Sequence, residues 1–414
     1  MKSSEFQQSL EKYADVIVKV GLNLREGQRL IINAGITDYP LVRAVTKSAY
    51  QAGARVVTVM YGDEEIGHIR LKMSSREALK EVPNWLLQAY LDHAKKGDAY
   101  LAISSDNPDL LGDVDPEAIA IQRKAAGKKM MKVAEYIMRD AINWCVISYP
   151  AEDWAKKVFP GVSGKQAQEK LWEAIFQTCR IDQPDPVAAW QEHIVNLKKR
   201  SEYLNNKRYT ALHYSAPGTD LTVGLPRGYQ WLAAQSHAEN GINFTANLPT
   251  EEVFTMPHKD KVEGTVSSSR PLVIMGTTVE DFTLTFKKGK VVDVKARKNE
   301  ETLRKLIETD EGGSRIGEVA LVPVSSPISK RGHLFYNTLF DENAASHIAL
   351  GRAYRFTMKG GPKMSEEEFN KRGGNYSLIH TDFMVGSDKM NIDGILSDGS
   401  SEPIMRKGEW AFKA

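Results

Sequence analysis

The sequence predicts an α/β N-terminal domain with a mainly parallel sheet, followed by an α+β, β-rich C-terminal domain. Apolar runs alternate with helical segments over the first half of the chain, and this alternation is typical of a parallel sheet. Near residue 206 the helical spacing fades, and turn signals then separate short β-branched runs. At 414 residues the chain is long enough for two or three domains. We therefore expect one domain over 1–206 and a second over 207–414.

The first half opens with a strand, a helix and a second strand. Residues 29–33 form a short apolar run, 39–52 carry apolar side chains at helical spacing, and 55–61 are β-branched. This order predicts a βαβ unit. The pattern recurs as a strand over 98–104, a long helix over 116–140, a strand over 143–148 and helices over 152–205. Such alternation favours a parallel sheet covered by helices on both faces.

A parallel sheet often binds nucleotides where its strand order reverses, and glycine-rich loops then hold the phosphate. The turn after the first strand, at 33–37, reads Asn-Ala-Gly-Ile-Thr and does not contain G-x-G-x-x-G. Gly164-Lys165 is followed by Gln166 instead of Ser or Thr, so it is not a P-loop. We interpret the first domain as structural.

Composition excludes several classes of protein. The chain has 55 Lys and Arg against 53 Asp and Glu, which gives no global electrostatic reason to bind nucleic acid or membranes. Residues 1–8 have no apolar core of a secretory signal, and no run approaches the ~18 apolar residues of a membrane span. Cys145 and Cys179 are the only cysteines, too few for a disulfide framework or a multi-thiolate zinc site. We expect a cytoplasmic protein.

The second half reads as antiparallel strands with one or two helices. Strand-like runs occupy 209–214, 221–223 and 281–286, and a hairpin turn at Lys288-Gly289-Lys290 leads into a returning strand over 291–294. Six of the nine histidines lie beyond residue 206. Because an isolated histidine is usually structural, only its local context can indicate a site.

The most informative histidine context is the predicted strand over 378–385. A strand puts His380 and Asp382 on one face, about 7 Å apart along the chain. Both groups can ligate metals, and they stand among hydrophobic neighbours. The alternative is a sheet face that is open to solvent.

A second context surrounds His347. Asp341 or Asn343 could cap a helix that runs to Gly351, which would place His347 one turn beyond Asn343. Glu342 could then share a site with His347 only if it lies in the non-helical cap. Otherwise it is an acid that stabilises the helix N-terminus.

Two further contexts contain carboxylates beside apolar runs. Glu318 follows a glycine at the start of a predicted buried strand, where an acid is costly unless it is paired or bound to metal. Glu251 and Glu252 precede Val253-Phe254 between two prolines, and a solvated loop is the alternative for either acid.

Together these contexts offer three or four carboxylates and two histidines without clustered thiols. This donor set suits a pair of divalent ions such as Zn²⁺, Co²⁺ or Mn²⁺. Two such ions can share and deprotonate one water, so hydrolysis is the expected chemistry. The H-E-x-x-H and G-x-S-x-G motifs of other hydrolases are missing from the sequence.

Four separated blocks resemble, in order and spacing, the aminopeptidase S/T family of thermophilic metallo-aminopeptidases. The blocks are Asn-Leu-Pro-Thr-Glu-Glu-Val-Phe-Thr at 247–255, Ile-Gly-Glu at 316–318, Asp-Glu-Asn-Ala-Ala-Ser-His at 341–347 and His-Thr-Asp at 380–382. The resemblance covers essentially the whole chain and includes the early segments 13–15 and 20–28. It implies a homodimer and a binuclear metal site in the catalytic C-terminal domain.

The resemblance also implies roles for individual residues. Glu318 would bridge the two ions, and Tyr354 would stabilise the oxyanion. Of the two adjacent acids, the resemblance favours Glu252 over Glu251, because the acid directly before Val253-Phe254 matches the family block. The implied metal ligands are Glu252, Glu318, Glu342, His347, His380 and Asp382.

The sequence therefore predicts a metal-dependent aminopeptidase that removes residues from peptides with a free N-terminus, using water activated by two metal ions. No nucleic-acid or membrane partner is expected. The alternatives are another binuclear metal amidohydrolase or a phosphoesterase, and a metal-free binding protein on the same scaffold.

Overall fold

A computed structural model describes residues 3–105, 107–274 and 277–413, which form two compact units. Unit 1 comprises Met1–His193 and Gln235–Pro249, and unit 2 comprises Ile194–Ala234 and Thr250–Ala414. None of the helices in the described part of the chain combines the length and the apolar character needed to cross a bilayer.

Unit 1 contains the parallel sheet that the sequence predicts. Its strands are β1 (Arg29–Gly35), β2 (Val56–Gly62), β3 (Ala99–Ser104) and β4 (Trp144–Ser148). They are all parallel and lie in the order β2-β1-β3-β4. Leu30, Ile32, Leu101 and Ile147 on these strands are almost fully buried, as expected for apolar runs covered by helices.

Helices alternate with the strands of unit 1, and the predicted alternation is confirmed. The helices are α1 (Ser3–Val16), α2 (Tyr39–Gln51), α3 (Glu64–Met73), α4 (Asn84–Lys95), α5 (Pro116–Met138), α6 (Glu152–Val158), α7 (Gly164–Thr178) and α8 (Pro186–Lys207), of which α8 runs on into unit 2. A π-helical turn at Ile17–Gly21 and 3₁₀ turns at Ile36–Asp38 and Ala78–Lys80 complete the set. The Gly164-Lys165 step is the first turn of α7, where Ser163 and Gln166 form a capping box.

Unit 2 is rich in antiparallel strands. Its larger sheet has the order β12-β13-β11-β6-β5-β18-β19-β20, and β14 pairs with β13. These strands are β5 (Ala211–Ala216), β6 (Thr219–Gly224), β11 (Val262–Ser267), β12 (Leu272–Ile274), β13 (Thr277–Lys287), β14 (Lys290–Lys298), β18 (Asn391–Ile395), β19 (Ser401–Arg406) and β20 (Glu409–Trp410).

A second sheet of unit 2 has the order β17-β16-β15-β10-β7. Its strands are β7 (Leu232–Ala233), β10 (Val253–Thr255), β15 (Ile316–Leu321), β16 (His347–Gly351) and β17 (His380–Met384). Short strands β8 (Ser236–His237) and β9 (Asn243–Phe244) pair in unit 1. The helices of unit 2 are α9 (Glu300–Ile307), α10 (Thr338–Asp341) and α11 (Glu366–Lys371), with 3₁₀ turns at Ser329–Arg331, Glu342–Ala344, Arg355–Thr357 and Gly361–Lys363. The predicted fold class is confirmed.

The predicted helix from Asp341 or Asn343 to Gly351 is wrong. The α10 helix ends at Asp341, a 3₁₀ turn follows, and His347 begins the fully buried strand β16. The run contains good helix formers such as Ala and Leu, but it pairs with β15 on one side and β17 on the other. Pairing with strands distant in the sequence overrides the weak local preference.

Candidate metal centre

Five of the six predicted ligands share one face of the second sheet. Glu318 on β15 lies opposite Ala349 on β16, which in turn lies opposite Asp382 on β17. Because side chains alternate between the two faces of a strand, His347 and His380, each two residues from this row, point to the same side. The strand ladder therefore brings both histidines and two acids together.

Glu252 reaches the same face from the other side of β15. Phe254 lies opposite Ala320, and Ala320 lies opposite His347. Glu252 is two residues before Phe254 and is buried. Its carboxylate therefore projects on the side that carries the other acids.

Small residues on the central strand β16 leave room for these side chains. Ala349 separates Glu318 from Asp382, and Gly351 lies opposite His380. Gly351 has a φ of 102°, and a Cβ there would collide with the carbonyl oxygen of Ile379. Glycine at this position thus permits both the left-handed backbone and the close approach of β17.

The side chains of this face are close to one another. His347 Nε2 lies 3.2 Å from Glu252 Oε2, 3.6 Å from Glu318 Oε1 and 3.9 Å from Asp382 Oδ1. His380 Nε2 lies 3.5 Å from Asp382 Oδ1 and 4.0 Å from Glu318 Oε2. The side chains of all five are at least four-fifths buried.

These atoms form two groups with the spacing of a metal site. One group is Glu252, Glu318 and His347, and the other is Glu318, His380 and Asp382. Within each group the ligand atoms all lie within 4.8 Å of one another. Glu318 belongs to both groups.

Backbone carbonyl groups orient both imidazoles. His347 Nδ1 lies 3.2 Å from the oxygen of Ala345, and His380 Nδ1 lies 2.8 Å from the oxygen of Arg352. Since a carbonyl oxygen only accepts, each Nδ1 carries a hydrogen and each Nε2 is directed at the carboxylates. A metal-binding histidine is usually held in this way by its other ring nitrogen.

The carboxylates create a strong demand for positive charge. Burial lowers the pKa of His347, but the nearby Glu252 and Glu318 carboxylates outweigh it, and the pKa is well above its usual value. Burial also lowers the pKa of His380, but the charge of the neighbouring Asp382 raises it more, and the pKa of His380 is about 10. Burial raises the pKa of Glu318 as well. Protons therefore balance the charge of the metal-free site, and a cation can replace them.

Glu342 lies near this cluster but belongs to neither group of three. Its side chain is half-buried, and burial followed by the charges of Glu252 and Asp382 raises the pKa of its carboxyl well above the usual value. Glu342 Oε1 also accepts a hydrogen bond of 3.4 Å from Asn343 Nδ2. Glu342 is therefore close enough to Glu252 and Asp382 for their charges to affect its pKa.

Tyr354 lies against the cluster on the side of His380. The centres of the Tyr354 and His380 rings are 4.6 Å apart, and the Tyr354 ring also stacks on Phe356 at 5.1 Å. Burial, followed by the charge of Glu318, raises the pKa of the Tyr354 hydroxyl, so it stays protonated. It can therefore donate a hydrogen bond to an anion.

The donor set fits a divalent cation. Apart from the imidazole nitrogens 3.2–3.9 Å away, the buried Glu252 Oε2 and Asp382 Oδ1 have no hydrogen-bond partner among the described residues. Burying carboxylate oxygens in this way is costly unless a charge of opposite sign accompanies them. Carboxylate oxygens and imidazole nitrogens are the donors that Zn²⁺, Co²⁺ and Mn²⁺ accept.

Two contributors to this site carry no signal in the sequence. Ala349 supplies space only because of the register of three strands. Asn343 is fully buried, and its side chain accepts a hydrogen bond from the backbone N–H of Glu251, 92 residues away. Only the folded chain reveals contacts of this kind.

Comparison with known proteins gives consistent results over almost the whole chain. Residues 6–410 match the family described as thermophilic metalloprotease (M29). Aminopeptidase AmpS of Bacillus subtilis is 48% identical over 407 residues, covering 98% of this chain and 99% of the relative. Aminopeptidase T of Thermus thermophilus is 45% identical over 405 residues, with the same coverage.

A solved structure shows the same fold. Wild-type AmpT from Thermus thermophilus superposes with a TM-score of 0.93 at 44% sequence identity, and the match covers 98% of this chain and 100% of that chain. The predicted resemblance to the aminopeptidase S/T type is confirmed. The chain belongs to the thermophilic metalloprotease family, and it is a metal-dependent aminopeptidase.

Proposed function

We propose that this aminopeptidase holds two divalent ions, Zn²⁺, Co²⁺ or Mn²⁺, and removes the first residue of peptides with a free N-terminus. The main support is the Glu318 carboxylate, which belongs to both groups of candidate ligands. A carboxylate has two oxygens, so one that is shared in this way can serve two neighbouring ions.

Each ion has its own partners in this proposal. Glu252 and His347 would hold one ion, His380 and Asp382 would hold the other, and Glu318, which belongs to both groups, would bind both. Glu342 is the sixth ligand, supported by its electrostatic proximity to Glu252 and Asp382.

The chain's own groups then bind and orient the peptide. When bound, the ions lower the pKa of a water molecule and polarise the carbonyl of the first peptide bond. A carboxylate near the site would accept a hydrogen bond from the N-terminal amine of the peptide. Tyr354, whose hydroxyl stays protonated, donates a hydrogen bond to the oxyanion that develops on that carbonyl.

Metal removal and re-addition test this function. Chelator-treated protein should not hydrolyse aminoacyl amides, and Zn²⁺, Co²⁺ or Mn²⁺ should restore hydrolysis at a stoichiometry of about two ions per chain. N-acetylated substrates and phosphate esters should remain uncleaved with each ion. Full activity in metal-free protein, or cleavage of blocked peptides, would contradict the proposal.

We also propose that the protein is a homodimer, as the family resemblance implies, and that its catalytic domain spans residues 207–414, where the sequence becomes β-rich. The low cysteine content, two residues that cannot build a disulfide framework, supports a cytoplasmic location. Light scattering, limited proteolysis and cell fractionation test these three points in turn.

A further inference from the structure

Two proposed ligands lie outside the strands that orient the others. Glu318, His347, His380 and Asp382 are within paired strands, so the hydrogen bonds of the ladder fix their directions. Glu252 precedes β10, and Glu342 stands in a 3₁₀ turn after α10. Some other contact must fix the directions of these two carboxylates.

Asn343 makes contacts to both segments. Its side chain is fully buried, and its Oδ1 accepts a hydrogen bond of 2.7 Å from the backbone N–H of Glu251. Its Nδ2 donates to the oxygen of Leu339 at 3.0 Å and to Glu342 Oε1 at 3.4 Å. The side-chain oxygen of Asn343 thus binds the segment that carries Glu252, and its side-chain nitrogen binds the segment that carries Glu342.

We propose that Asn343 is a positioning residue that aims Glu252 and Glu342 at the ions, an inference that rests on the proposed ligand set. Holding the N–H of Glu251 fixes the peptide plane between Thr250 and Glu251, which directly precedes the Glu251–Glu252 peptide. The bond from Asn343 Nδ2 restrains Oε1 of the Glu342 carboxylate and leaves Oε2 for a second partner. Partners of this kind, one step behind the ligands, contribute strongly to metal affinity.

The competing interpretation is that Asn343 only stabilises the local turn through its bond to Leu339. Asn143 in unit 1 supplies a matched control. It is also fully buried, donates 2.7 Å to the oxygen of Leu22 and accepts 2.6 Å from Gln28 Nε2. Its contacts connect structural segments without any proposed ligand.

The experiment compares Asn343→Leu with Asn143→Leu by competition for Zn²⁺ against a chromophoric chelator. Both changes replace a buried amide with an alkyl group that has the same heavy-atom branching but more volume, so both should lower the unfolding midpoint of the metal-free protein. Only Asn343→Leu should weaken Zn²⁺ binding, by about 10- to 100-fold. Excess Zn²⁺ should restore most of its kcat, because the residue acts through the ligands and not on the substrate.

Unchanged Zn²⁺ affinity in Asn343→Leu, or an equal loss in both variants, would overturn the inference. If Asn343→Leu does not fold, Asn343→Ser replaces it, since a serine hydroxyl is too short to reach all three partners, and the same loss is expected. The wild-type titration with Zn²⁺ distinguishes a failure of the proposed function from a failure of the proposed role of Asn343. Without Zn²⁺ binding by the wild type the proposed function itself fails, whereas wild-type binding with an unaffected variant removes only the role of Asn343.

Discussion

Each unit buries histidine and acidic side chains together, but the charges are balanced differently. In unit 1, Asp98 accepts a hydrogen bond of 2.6 Å from Arg29 Nε, and His93 Nδ1 lies 4.0 Å from the same carboxylate. Burial lowers the pKa of His93, and the Arg29 charge adds to that effect. In unit 2, His347 and His380 face several carboxylates, and their pKa values are raised.

The difference shows what distinguishes a structural cluster from a binding site. The acid of unit 1 already has a permanent cation as its partner, so the neighbouring histidine is free to stay neutral. The acids of unit 2 recruit protons onto both imidazoles. The imidazoles of unit 2 stay protonated although burial favours their neutral form. A metal ion can take the place of these protons.

The substitution with the largest expected effect is Glu318→Gln, which removes the negative charge that both groups of candidate ligands share. We expect kcat/KM to fall on the order of 1,000-fold, because bound metal supplies several kcal/mol of transition-state stabilisation. Hydrolysis of an aminoacyl amide and the circular dichroism of the variant measure activity and fold. Glu263→Gln, an exposed glutamate on β11, is the control and should retain activity. Substantial turnover by metal-replete Glu318→Gln would argue against a bridging role.

Tyr354→Phe should produce the next largest effect and sharpen the contrast by separating catalysis from charge balance. Removing the hydroxyl takes away one donor to the oxyanion, so kcat should fall about 100-fold while Zn²⁺ affinity is preserved. Steady-state kinetics and chelator competition measure the two quantities. Tyr376→Phe, on an exposed tyrosine, should change neither. If Tyr354→Phe loses metal instead of kcat, the tyrosine helps to hold the ions.

Ala349→Val tests whether space on β16 is part of the site. Two added methyl groups between Glu318 and Asp382 should cost about 1–3 kcal/mol in unfolding free energy and also weaken metal binding. Urea unfolding and chelator competition provide the measurements. Ala102→Val, on the half-buried β3 strand of unit 1, is the matched change and should leave metal binding untouched. Normal metal affinity in Ala349→Val would show that the ligands do not need this gap.

The smallest expected effect is the pH dependence of unfolding in the metal-free protein. The pKa of His93 is lowered in the folded state, so the unfolded chain binds the proton more readily. Stability should therefore fall as the pH drops below about 6.5, the ordinary histidine value. His380 has the opposite sign, because its contribution is complete below that value and is lost as the pH rises toward about 10.

The measurement is urea unfolding of metal-free wild type and His93→Gln between pH 5 and 7. The loss of stability on the acid side should be smaller in His93→Gln than in the wild type. His237→Gln, on an exposed histidine of unit 1, should follow the wild type. Identical pH profiles for wild type and His93→Gln would show that His93 does not contribute to the pH dependence, and the difference between the two units would then be unsupported.

The elements that the sequence predicts well are those whose pattern is local. The strands of unit 1 appear as continuous apolar runs because helices cover them, and the H-x-D spacing of His380 and Asp382 follows from strand geometry alone. The strand of His347 could not be predicted, since its helix-forming residues become a strand only by pairing with β15 and β17. The contact between Asn343 and Glu251 depends on tertiary folding in the same way.

The row of Glu318, Ala349 and Asp382 across three hydrogen-bonded strands has one more consequence. The pairing of the three strands fixes the positions of these residues, so the row forms when the chain folds and does not depend on a bound ion. Metal binding at this row then requires no rearrangement of the main chain. One cation can be swapped for another of similar size while the scaffold stays as it is.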